Sequence, residues 1–96
     1  MVKFSEYNVS LSCKEEIDFS ELYQESQDRS VYYYRCKLVQ ALLKNTDWMI
    51  TRHQEQILAN TTPKLTDEEL AILIKNRVEA RKALKQQISY VTNDTE

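Results

Sequence analysis

The sequence predicts a mainly α protein, a small helical hairpin or bundle with an extended N-terminal arm. Three observations carry that reading. The 96-residue chain has no glycine and a single proline, so it lacks the residue that tight β-hairpin turns favour at positive φ. Beyond about position 28, apolar residues recur in steps of three and four, the spacing of one helix face. A complete helix-start signature, Thr66-Asp67-Glu68-Glu69, precedes the last apolar run.

Residues 1–17 form the arm. Val2, Phe4, Val9 and Leu11 alternate around an interruption at Ser5-Glu6-Tyr7, which suits extended chain or one edge strand. A lone strand would add to a second copy or to another protein; a loosely docked arm fits the same residues. The helical domain spans 18–88. Asp18 and Glu21 are spaced as an N-cap and its partner three positions on, and start a short helix over 19–25. Ser26-Gln27-Asp28 interrupts it, because short polar side chains compete for backbone hydrogen bonds.

A long helix is predicted over 28–45 from Val31, Tyr34, Leu38, Ala41 and Leu42. Tyr32, Tyr33, Cys36, Val39 and Leu43 widen its stripe to most of the circumference. A helix apolar on so many sides is central to a bundle or shared with a partner, and it points to self-association. Three consecutive tyrosines cannot all face one core, and tyrosine suits surfaces that stay partly wet. Tyr32 and Tyr33, with Phe4 and Tyr7 on the arm, are therefore the candidate partner-binding residues.

Asn45-Thr46-Asp47 reads as a helix end, and Trp48, Met49 and Ile50 behind it as a plug over the open end of the bundle. Thr51, with Gln54 three positions on, starts a short helix over 52–59. Asn60-Thr61-Thr62-Pro63 breaks the chain. The last helix is predicted over 67–87, about 30 Å at ~1.5 Å per residue. Thr66 and Glu69 form its capping box, with Leu65 and Leu70 at the staple positions around it. Those four and Trp48 are the candidate structural residues. The expected inward stripe is Leu70, Leu73 or Ile74, Val78 or Arg77, Leu84 and Ile88, with Ala71, Ala80 and Ala83 allowing close approach. Residues 89–96 read as a flexible tail.

The residues offer little chemistry. His53 is the only histidine and has no nucleophile at a catalytic spacing; a capping or supporting role is expected of it. Cys13 and Cys36 are 23 positions apart with no metal-type spacing, and both read as reduced core or boundary thiols. Glu68-Glu69 belongs to the cap and Glu15-Glu16 to the arm, so neither pair is a catalytic dyad. No catalytic, cofactor-binding or metal-ligating residue is expected, and the chain reads as a non-enzyme. No apolar run approaches the ~20 residues of a membrane span, and no signal-peptide core follows Met1; a cytoplasmic location is expected.

Net charge is −2 but unevenly spread. Residues 1–30 carry three basic and seven acidic side chains, net −4, whereas 31–63 (four and two) and 64–88 (six and four) are each +2. The acidic third either lies along the basic remainder or meets a basic partner. Lys75, Arg77, Arg81, Lys82 and Lys85 make the last helix basic, but an acidic whole favours a solvated face over a nucleic-acid contact. Neither nucleic acid nor membrane is an expected partner.

From Arg35 onward the order of residues is distinctive. Leu42-Leu43 is followed by Thr46-Asp47-Trp48, then Arg52-His53, then Leu65-Thr66-Asp67-Glu68-Glu69, and finally Arg77, Arg81 and Leu84. Over about half the chain this resembles the short module of tailed-bacteriophage tail assembly chaperones, which is similar to the C-terminal segments of tail-fibre and tail-fibre-assembly proteins. Ile72-Leu73-Ile74 stands where that module often carries an aromatic, and residues 1–25 have no counterpart in it. The resemblance implies a phage protein that binds other tail components, as an assembly chaperone in the host cytoplasm or as a minor structural or fibre-attachment part of the virion tail. The alternative expectation is a small phage regulatory or host-interference protein that binds a basic surface on a host protein.

Overall fold

The computed structural model describes residues 1–92 and is built on two antiparallel helices, α1 (Arg29–Leu58) and α2 (Asp67–Thr92), packed as a hairpin. The N-terminal quarter lies against the hairpin. It contains the two-residue strands β1 (Val2–Lys3) and β2 (Ile17–Asp18), paired in parallel with Val2 opposite Ile17, and 3-10 turns at Phe4–Glu6, Val9–Cys13 and Ser20–Tyr23. The strand expected to seek another molecule therefore finds its partner within its own chain. The short helix expected over 19–25 is a 3-10 turn, with the Asp18 carboxylate accepting from Ser20 N at 3.0 Å.

α1 is continuous where two helices, 28–45 and 52–59, were expected. Asp28 caps its start, accepting from Ser30 N at 3.0 Å. Asn45-Thr46-Asp47 does not end it, because the Thr46 hydroxyl donates to Leu42 O at 2.8 Å, four residues back. That bond satisfies the hydroxyl without drawing on the next turn of the helix. The true end is at Asn60, whose φ of 55° is the left-handed conformation that asparagine tolerates. Thr61 N donates to Gln56 O and Asn60 N to Ile57 O, the paired bonds of a Schellman cap.

The capping box of α2 forms reciprocally, Glu69 N to Thr66 Oγ1 and Thr66 N to Glu69 Oε1, both at 3.1 Å. Its inward stripe differs from expectation by a fraction of a turn. Leu73, Asn76, Arg77, Ala80, Ala83 and Gln87 are buried, while Ile74, Val78 and Ile88 lie outside. The polar members of the stripe explain the rotation. Asn76 accepts from Ile17 N at 2.9 Å and donates to Ser12 O and Glu15 O at 2.8 and 2.9 Å. Three turns on, Gln87 donates to Leu22 O. Two amides on one face of α2 thus hold backbone groups of the N-terminal segment that no regular ladder serves. Ser89–Thr92 continue α2, and the rest of the expected tail, 93–96, lies outside the described residues.

The main core joins Phe4, Ile17, Phe19 and Leu22 to Val39 and Leu42 of α1 and Ala80 and Ala83 of α2. The two alanines bring the N-terminal segment and α1 close to the α2 backbone, as small residues do at crossings. A second cluster, Cys13, Met49 and Leu73, lies towards the interhelix loop, with Val9, Ile50 and Leu65 packed on it. Glu16 pairs with Lys75 at 2.7 Å, an exposed contact between the acidic N-terminal segment and α2.

Candidate functional site

The four residues expected to meet a partner lie in different surroundings. Phe4 is buried, 5.5 Å from the Phe19 ring and 5.2 Å from that of Tyr7, itself half-buried against the core. The β1–β2 pairing and the Asn76 clamp draw both inward, so neither is presented. Tyr32 is also buried. Its ring packs 4.8 Å from Tyr90, and its hydroxyl donates to Ser26 O and accepts from Ser26 N, which fixes the turn before α1. Arg35 covers the same ring at 5.7 Å and donates to Gln24 O. Tyr33 stays on the surface, 53% exposed, next to Tyr34.

Trp48 departs furthest from expectation. It does not plug the bundle. With α1 uninterrupted there is no helix end for it to fold over, and the indole is 53% exposed. Its neighbours in the triplet do structural work in its place. Arg77, buried in α2, donates to Leu43 O at 2.8 Å, to Thr46 Oγ1 at 2.7 Å and to Asp47 Oδ1 at 2.5 Å. This lock ties the middle of α1 to α2. Its Asp47 end is largely in water, with the carboxylate side chain 62% exposed and that of Arg77 9%.

Beside Trp48 the surface opens into a pocket of about 190 Å³, lined by Trp48, Met49, Arg52, His53, Gln56, Lys64 and Leu65. Met49, His53 and Gln56 follow one another at steps of four and three along α1, and Trp48 and Arg52 rise on the adjoining edge. The chain then turns at Asn60, and Gln56 Oε1 accepts from Lys64 N at 3.2 Å. That bond holds the loop across the pocket and brings Leu65 to its wall. His53 is buried in the last two turns of α1, and its Nδ1 has no hydrogen-bond partner. His53 also borders a second groove of about 240 Å³, together with Ile50, Leu70, Ile74 and Arg81.

Of the residues singled out as structural, Thr66 and Glu69 form the cap, Leu65 lines the pocket and Leu70 the second groove. The contributions of Arg52, His53 and Lys64 escaped the sequence reading. The signal was the i to i+4 spacing of Trp48 to Arg52 and Met49 to His53, which shows only once 45–52 is helical.

Both thiols, Cys13 buried and Cys36 half-buried, are free, and burial raises their pKa values, as the charge of Glu69 does for Cys13. Among the described residues no three acidic, cysteine or histidine side chains gather as a metal site, and no helix is long and apolar enough to cross a membrane. No family model, curated protein or solved structure matches the chain.

Proposed function

We propose that this chain is a non-enzymatic, bacteriophage tail-associated protein that works by binding other tail components, as an assembly chaperone or a minor structural or fibre-attachment part. It would act in the host cytoplasm during assembly and, if retained, in the virion tail. One observation carries the reading. The residues that resemble the tail-assembly module divide into two sets, one spent on the hairpin and one left at the surface. Thr46, Asp47 and Arg77 lock the helices and Thr66 with Glu69 caps α2, whereas Trp48 and Arg52 are exposed at the mouth of an apolar pocket. A half-exposed tryptophan has no packing reason to be there, and tryptophan and arginine are enriched among residues that dominate interfaces.

The test pairs function with folding. Trp48→Ala should keep the helicity of the wild type and its melting temperature to within about 3 °C, since so exposed a ring contributes little burial energy. The same variant should lose most of its co-purification with tail proteins from cells producing particles. Equal recovery of tail proteins by variant and wild type, or normal tails in particles made without the protein, would refute the proposal. Mass spectrometry of purified particles separates a retained part from a transient helper.

A further inference from the structure

We infer that the Trp48 pocket is a docking site for an acidic segment of a partner protein that inserts one bulky apolar side chain. The inference rests on the docking function proposed above and names what is docked. The pocket's size suits a single side chain, since a buried apolar cavity of about 150 Å³ already admits a benzene ring, and this one holds about 190 Å³. Met49, Leu65 and Trp48 give its lining an apolar part.

The charge around it has one sign. Arg52 from α1 and Lys64 from the loop flank the opening, neither makes an ion pair among the described residues, and no acidic residue lines the pocket. The unanswered pair therefore favours carboxylates on either side of the inserted group, with Arg52 also placed to stack on an aromatic ring. His53, 6% exposed, is the most deeply buried of the residues that line it.

Three labelled peptides test this. One has a single phenylalanine flanked on both sides by glutamates, the second replaces the glutamates with lysines, and the third replaces the phenylalanine with alanine. Fluorescence anisotropy reports binding, and Trp48, the only tryptophan, reports by its own emission when the pocket fills. The acidic phenylalanine peptide should bind at least about tenfold more tightly than either control, and its affinity should fall with added salt. The Arg52→Glu/Lys64→Glu protein should reverse the order, favouring the lysine peptide by about tenfold. Equal binding of acidic and basic peptides, no binding of any up to millimolar concentration, or indifference to the charge reversal would overturn the inference. Trp48 emission that shifts on dilution of the protein alone would assign the pocket to a second copy and overturn it too. If the charge-reversed protein fails to bind peptide yet still co-purifies with tail proteins, this pocket is not the tail contact. The wider docking function would then stand.

Discussion

At the scale of single residues, Asn76 is the polar side chain on which the N-terminal segment most directly depends. Its amide serves one buried donor and two carbonyls of the N-terminal segment at once. Asn76→Ala strands all three groups, at roughly 1–3 kcal/mol for each buried unsatisfied one, partly recovered by relaxation. We expect a loss of about 2–4 kcal/mol in urea unfolding, with faster hydrogen exchange at the Ile17 amide. Asn76→Asp should be no better, because a carboxylate accepts from Ile17 N but cannot donate to Ser12 O or Glu15 O. A stability within 0.5 kcal/mol of wild type for either variant would mean that water replaces the amide. Trp48 is the opposite case, a large side chain whose removal should show in association and hardly in stability.

At the scale of elements, the Arg77 lock decides how the helices are joined, and its parts are unequal. Thr46→Val removes a buried acceptor and should cost about 1–2 kcal/mol. Arg77→Ala removes the donors and the buried stem together and should cost about 2–4 kcal/mol, less than a fully buried pair would because Asp47 remains hydrated. Asp47→Asn should cost under about 1 kcal/mol, since an exposed carboxylate gains little from pairing. Chemical denaturation of the three variants should give that ranking; a larger loss for Asp47→Asn than for Thr46→Val would place the strength of the lock in its ion pair.

The same elements show what the sequence discloses. The Thr66–Glu69 box, the break at Asn60 and the helical hairpin are readable because each depends on neighbours within a turn. The continuity of α1 is not, because Thr46 is a turn residue by propensity and a helix residue only through its bond to Leu42 O. The face of α2 is hidden for a related reason. Periodicity leaves the choice between Leu73 and Ile74 and between Arg77 and Val78 open, and Asn76 and Gln87 decide it by serving backbone groups about 60 residues away. The pocket inherits the first of these, since it exists only on an unbroken α1.

At the scale of the whole molecule, pH should bound stability from both sides. Hydrogen bonds from Ser20 and Ser30 hold the Asp18 and Asp28 carboxyls below the ordinary 3.8. Their contribution is complete above that value and is lost as pH falls through the folded one. On the alkaline side, burial raises the Cys13 and Cys36 thiols above 9.0 and the Tyr7 and Tyr23 phenols above 10.0, and Glu16 raises Lys75 above 10.5. Those contributions are whole below the ordinary values and disappear as pH climbs through the raised ones. Melting temperature should therefore fall as pH drops below about 4 and as it climbs above about 9. Asp28→Asn should shrink the acid limb and Cys13→Ala the alkaline one. Limbs unchanged in both variants would place the titrating groups elsewhere.

The amide clamps also impose an order in time. Ser12, Glu15, Ile17 and Leu22 leave the ribosome 59 to 65 residues ahead of the side chains that complete their bonding. At ~5–20 residues per second of synthesis, that is an interval of roughly 3–13 s. Throughout it, Phe4, Ile17 and Phe19 have no α2 alanines to rest on. The N-terminal segment cannot complete its bonding until α2 is made, and a nascent copy stalled before Asn76 is emitted would keep those backbone groups and the apolar side chains beside them uncovered.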